Sequence, residues 1–151
     1  MAFEIEKKYL VKHLPEAFDK DSYEILEQAY IFSEPETRIR RAGDKFYLTV
    51  KSKGDAVREE YEMEISEKIF EKFKAHIETP FIRKKRHRIK LHDGLIAELD
   101  IYLDFENLLT VDVEFADHEC MASFVPPSWF GEDISGNLNY KNSLLARKLA
   151  L

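Results

Sequence analysis

One cysteine, Cys120, stands among 151 residues, which excludes an internal disulfide and any zinc site built on several thiolates. Glycine and proline are scarce, five of each. No glycine-rich pattern precedes a helix, so Gly43, Gly54 and Gly94 read as turn residues and not as a phosphate loop. No apolar run approaches the roughly 18 residues that a membrane span needs, and the acidic residues 1–6 lack the marks of a secretory leader. The expectation is a cytoplasmic protein that makes no membrane contact. His13, His76, His87, His92 and His118 fall into no metal-ligand spacing and are expected at surface or structural positions. Positive charge is missing from a long stretch: residues 91–140 hold no Lys or Arg but eleven Asp or Glu.

What is present is globular. Hydrophobic residues make up 44% and aromatic residues 13%, enough to build a core and too many for a disordered chain. The length suits one domain over residues 1–151, able to bury roughly two-thirds of its unfolded surface. A net charge of −6 does not favour a nucleic-acid partner.

Period-two alternation dominates the chain. Phe3-Glu4-Ile5-Glu6-Lys7-Lys8 places Glu4, Glu6 and Lys8 on one face. Arg38-Ile39-Arg40 does the same before a turn at Ala42-Gly43-Asp44. Phe46, Leu48 and Val50 alternate with Tyr47, Thr49 and Lys51, and Arg58, Glu60, Glu62 and Glu64 oppose Tyr61, Met63 and Ile65. Ser66 is a helix N-cap ahead of an apolar stripe of Ile69, Phe70, Phe73 and Ile77, with Pro80 as the stop. A basic strand over 82–91 turns at His92-Asp93-Gly94 into an acidic strand over 96–103. Residues 109–115 form another strand, with Asp112 and Glu114 opposite Val111, Val113 and Phe115. Short helices are expected at 117–124 and 140–149, and a weaker strand at 24–32. The sum is an α+β fold on seven or eight antiparallel strands.

In an ordinary one-sided sheet the charged face meets solvent. Three features argue against that here. Charge is nearly unbroken on one face of six strands, its signs are segregated strand by strand, and the opposite face is apolar with helices available to cover it. A closed barrel with a charged, wet lumen and helices packed outside meets all three. Ions taken out of water must be paired or must coordinate something. Inward acids can pair with inward bases, and the mixture also suits a polyanion accompanied by Mg²⁺ or Mn²⁺, which prefer oxygen ligands.

At Glu4-Ile5-Glu6-Lys7-Lys8 the chain resembles the CYTH superfamily, the triphosphate tunnel metalloenzymes, with its E-x-E-x-K signature. An ordered series follows over about residues 3–115: Arg38-Ile39-Arg40, Lys51, Arg58-Glu59-Glu60-Tyr61-Glu62, Lys84-Lys85-Arg86, Glu98-Leu99-Asp100 and Asp112-Val113-Glu114. Residues 129–142 are similar to the family's W-x-G…Y-x-N stretch. The resemblance implies an eight-stranded antiparallel tunnel holding a triphosphate with divalent cations. It implies phosphate contacts from Lys8, Arg38, Arg40, Lys51, Lys84 and Arg86, with Arg58 reaching a terminal phosphate or pairing with lumenal acids. Glu4, Glu6 and Glu114 are implied as the main metal carboxylates, with Glu60, Glu62, Glu98 and Asp100 serving a second metal, the attacking water or the orientation of the basic residues. Asp112 is implied as a further metal carboxylate, standing where the family carries Glu and one methylene shorter. Glu60, Glu62 and Lys84 are the candidates for work on the attacking water.

The favoured expectation is metal-dependent hydrolysis of a short polyphosphate, inorganic tripolyphosphate first. The alternatives are a nucleoside or thiamine triphosphatase or a class IV-type adenylyl cyclase of the same family, and a non-catalytic polyphosphate- or nucleotide-binding module. The family also makes a homodimer unsurprising. Cys120 is expected to pack and not to act as a nucleophile, while Trp129 and Phe130 are expected to seal the barrel exterior or an end.

Overall fold

The computed structural model describes residues 2–150. The alternating segments become strands β1 (Ala2–Val11), β2 (Glu24–Ser33), β3 (Glu36–Ala42), β4 (Lys45–Lys51) and β5 (Val57–Ile65), followed by helix α1 (Glu67–Phe73). Strands β6 (Ile82–Lys90), β7 (Ile96–Tyr102) and β8 (Leu109–Glu114) come next. Helix α2 (His118–Ser123), a short β9 (Phe130–Asp133) and helix α3 (Asn142–Lys148) complete the order.

Every pairing is antiparallel. The strand order is β5-β4-β3-β2-β6-β7-β8-β1, and β5 pairs back onto β1, so eight strands close into a barrel. Closure leaves no long open edge to attract another chain. Strand β1 carries the seam: it meets β8 along Glu6 to Leu10, β5 along Ala2 to Ile5, and β9 at Tyr9 and Val11. Strand direction assigns the connections to two ends. The turns at 43–44 and 91–95 share one end with the start of β1, and the connections at 34–35, 52–56 and 103–108 lie at the other.

Side chains pointing out of the barrel form the apolar core. One cluster joins Ile5, Tyr9, Leu99, Val111 and Val113 to Phe115, Trp129 and Phe130, so the tryptophan segment seals the exterior. A second joins Ile31, Ile39 and Phe46 to Phe70 of α1. Ser66 caps that helix, its Oγ accepting from Ile69 N–H at 3.2 Å. Phe70 is 2% exposed while Ile69, expected in the same stripe, is 41% exposed. Two turns of helix present too narrow a face to bury both. Cys120 also departs from expectation and is exposed, because Met121 and Phe124 do the packing for its helix. His87 is structural: buried, with Nδ1 3.0 Å from the Ser22 carbonyl oxygen and its ring edge-on to Phe18.

Helices α1 and α2 cover the outside. Helix α3 does not: Leu145 and Ala146 pack against Tyr30, Ile82 and Tyr102. Ile82 has the parity of Lys84 and Arg86, and Tyr102 that of Glu98 and Asp100, so this helix fills the 103–108 end of the barrel from within. The reason is local composition, since Tyr30, Ile82 and Tyr102 put aromatic and aliphatic side chains at neighbouring inward positions of that end. Among the described residues no helix is long and apolar enough to cross a membrane.

Candidate active site

The barrel encloses a cavity of about 250 Å³ lined by eight carboxylates and eight cationic side chains, with Tyr30 and Asn142. Alternation puts them there. Strand β1 supplies Glu4, Glu6 and Lys8; β3 supplies Arg38 and Arg40; β4 supplies Lys51; β5 supplies Arg58, Glu60 and Glu62. Across the lumen β6 adds Arg86, β7 adds Glu98, and β8 adds Asp112 and Glu114. Thirteen of the fifteen residues singled out in the sequence therefore share one cavity wall.

Lys84 and Asp100 do not line it. Both side chains have no exposure, and Lys84 Nζ lies 2.8 Å from Asp100 Oδ2. Arg86 donates to the same carboxylate through Nε and Nη2 at 2.8 and 2.9 Å. These two residues form a layer beneath the cavity that fixes the Arg86 guanidinium. Burial works against charge on Asp100, but Arg86 and Lys84 more than reverse it and hold the carboxyl well below its usual range. Burial, with Arg86 and Arg40 nearby, lowers Lys84 to about 7, against the pull of Asp100.

Two further groups set the electrostatics. Lys51 Nζ stands 2.7 Å from Glu4 Oε2 and 3.4 Å from Glu60 Oε2, and Arg58 reaches Glu4 at 3.5 Å and Glu36 at 3.2 Å. Burial raises Glu4, but Lys51, Glu60 and Arg58 outweigh it and bring it to about 2. Glu6 gains no such partner among the described residues: burial and the charges of Asp112 and Glu4 push it up to about 7. Glu114 is raised as well, by burial and then by Glu4 and Glu98. Arg40 donates two bonds to Gln28 Oε1, at 2.9 and 2.6 Å, and Gln28 donates to the Tyr30 hydroxyl at 2.8 Å. Burial beside Arg38 and Arg86 lowers Arg40 to about 9.

Apart from Lys84 Nζ, whose contact is the Asp100 carboxylate, the buried side-chain nitrogen and oxygen atoms without a hydrogen-bond partner among the described residues belong to Arg38, Arg58, Thr110 and Asp112, all on the inward face. Such atoms are rare in folded proteins and ask for a partner. The donor chemistry fits a hard divalent cation: carboxylate oxygens only, Asp112 Oδ1 buried and unbonded, and Glu6 crowded by like charge. No three Asp, Glu, His or Cys side chains among the described residues already form a ligand set, because Glu4 is turned toward Lys51 and Arg58. A cation bound at Glu4 would therefore compete with those two ion pairs.

Reading by strand parity missed Tyr30, Glu36, Lys141 and Asn142 in the wall. Tyr30 lies in a strand without alternating charge, Glu36 starts a strand at a turn, and Lys141 and Asn142 lie outside the barrel strands. Arg88 was on the correct face by parity beside Lys84 and Arg86, and it also lines the cavity.

The family model for the CYTH domain matches residues 2–141. The chain is similar to the inorganic triphosphatase of Nitrosomonas europaea, 36% identical over 148 residues that span 95% of this chain and 96% of that protein. It is similar also to the inorganic triphosphatase of Acetivibrio thermocellus, 33% identical over 153 residues, 97% of this chain and 95% of that one. The crystal structure of the inorganic triphosphatase NE1496 superposes with a TM-score of 0.68 at 34% identity, covering 97% of this chain and 95% of the other.

Proposed function

The chain belongs to the CYTH domain family, and from that premise we propose that it is an inorganic triphosphatase, hydrolysing a phosphoanhydride bond of tripolyphosphate with a divalent cation. The observation that carries this reading is the cavity's charge balance, eight carboxylates against eight cations on one enclosed wall. A bare polyanion would upset that balance, and a polyanion with divalent cations restores it.

Each residue has a part. Lys8, Arg38, Arg40, Lys51, Arg58 and Arg86 hold phosphate oxygens, the guanidinium groups through their planar forks. Glu4, Glu6 and Glu114, joined by Glu98 and Asp112, hold Mg²⁺ or Mn²⁺, which when bound polarises the phosphoryl group and neutralises charge that develops on it. Glu60 and Glu62 orient water and accept its proton. Glu60 is raised above the ordinary carboxylate range by burial and by its contact with Glu4, which suits a proton acceptor. Glu62 is fixed by the Thr49 hydroxyl, which donates to it at 2.8 Å. Lys84 and Asp100 act by positioning Arg86. The chemistry asks chiefly for placement and fixed charge, which these residues supply.

One observation favours a second reading, an organic triphosphate as substrate. The mouth continues into an open cleft where Leu95, Ile96, Phe115 and Ala116 adjoin Arg88, Glu98 and Glu114, an apolar rest for a base or ring. Phosphate release from tripolyphosphate, ATP, thiamine triphosphate and pyrophosphate, each with Mg²⁺, Mn²⁺ or chelator, decides between them. The inorganic reading predicts the highest kcat/KM on tripolyphosphate and none in chelator. Preference for ATP or thiamine triphosphate would replace it with the second.

A further inference from the structure

Behind the cavity wall lies a neutral amide. Gln28 stands opposite Arg40 on β3 and Ile82 on β6, on the inward face of β2. It has no exposure and does not line the cavity, while the two side chains it bonds, Arg40 and Tyr30, both do.

The polarity of this network is forced. Arginine only donates, so the bonds from Arg40 Nε and Nη2, at 2.9 and 2.6 Å, fix Gln28 Oε1 on the Arg40 side. The amide nitrogen then faces Tyr30 and donates to its hydroxyl at 2.8 Å. Because that hydroxyl accepts, its own hydrogen points away from Gln28, and the cavity that Tyr30 lines is open to it. Burial raises the Tyr30 pKa, which keeps the hydrogen in place. What Gln28 lacks is charge. Lys8, Arg38, Lys51, Arg58, Arg86 and Arg88 each have a carboxylate within 4.0 Å. Arg40 has none among the described residues; its partner is a dipole.

We propose that Gln28 is a positioning residue for substrate binding: its neutral amide clamps the Arg40 guanidinium without neutralising it and turns the Tyr30 O–H toward the cavity. This rests on the triphosphatase reading above. A glutamate of the same shape would hold Arg40 equally well, but as an ion pair, and would take the Tyr30 hydrogen for itself. An anion entering a confined, low-dielectric space gains most from a cation that is fixed and still unpaired.

The test compares Gln28→Glu, which keeps the clamp and cancels the charge, with Gln28→Met, which removes the clamp and keeps the charge. Lys68→Gln, on the exposed side of α1, is the control for the same change in net charge. Steady-state hydrolysis of tripolyphosphate with Mg²⁺ is measured alongside calorimetric titration with tripolyphosphate in chelator, and urea unfolding follows each variant. Gln28→Glu should unfold near the parent's midpoint, yet raise KM and weaken Kd about tenfold, with kcat within about twofold. Gln28→Met should unfold at lower urea and weaken Kd only about threefold. Lys68→Gln should leave KM and Kd where they were. A folded Gln28→Glu variant with the parent's KM and Kd overturns the proposal, as does a Met variant that binds more weakly than the Glu variant. If Gln28→Glu fails to fold, an unchanged Kd in Gln28→Met overturns it and a weakened one supports it. If the parent binds tripolyphosphate but releases no phosphate, the triphosphatase reading falls and the Kd comparison still decides the role of Gln28. A parent that neither binds nor cleaves it ends both.

Discussion

At Asp100 three ionisable side chains meet beneath the cavity wall. Lys84 and Asp100 have no exposure, and Arg86 holds the same carboxylate by two donated bonds. Removing one member of a buried ionic cluster strands the others, at a cost of about 3–5 kcal/mol. Asp100→Asn should lose stability of that order in urea unfolding, and a loss under 1 kcal/mol would show that the cluster is not needed for folding. The pH dependence follows from sign. The folded carboxyl is held low, so its contribution is complete above the unfolded value of about 4 and is lost as pH falls from there toward the folded value. Wild-type stability should therefore fall on acidification below about pH 4, with a shallower slope in Asp100→Asn. At this scale the sequence was informative about direction and silent about depth. Parity places Lys84 and Arg86 on one inward face, yet it cannot distinguish a side chain at the lumen surface from one in the layer beneath.

Among the elements, α1 shows what the outer cover contributes. Phe70 fills the space between Phe46 and Phe81, with ring centroids 4.8 and 5.9 Å away. Phe70→Ala should cost about 3–5 kcal/mol through the cavity left behind, while the folded fraction keeps its KM, because this contact is on the wall opposite the charged face. A change in KM as large as the change in stability would mean that the two faces are coupled. Strand alternation was legible because charged and apolar residues trade places through residues 3–6 in β1, 60–65 in β5, 97–101 in β7 and 111–114 in β8. One element, β9, was not legible, and of another, α3, the helix was legible over 140–149 but its placement was not. Strand β9 is four residues long and gains its meaning from Tyr9 and Val11, more than a hundred positions earlier. Helix α3 reads as amphipathic, and amphipathicity says that a face is buried without saying that it packs on the inward side, against Tyr30, Ile82 and Tyr102.

For the whole molecule the governing fact is a closed eight-stranded wall whose carboxylates and cations balance. Balance explains how so much charge folds inward: most of it is paired as it stands, and exchange of pairs makes room for ligand. On the proposed function the exchange would take a definite form: carboxylate oxygens now paired with Lys51, Arg58 and Arg86 would hold divalent cations, and the released ammonium and guanidinium groups would turn to phosphate oxygens. A crystal structure of the protein with tripolyphosphate and Mn²⁺, the metal located by anomalous scattering, tests this most directly. The predicted result is a phosphate chain inside the barrel in contact with Lys8, Arg38 and Arg86, with Mn²⁺ on oxygens of Glu4, Glu6 and Glu114. Ligand and metal found only on the outer surface, with the Lys51–Glu4 and Arg86–Asp112 pairs undisturbed, would contradict it.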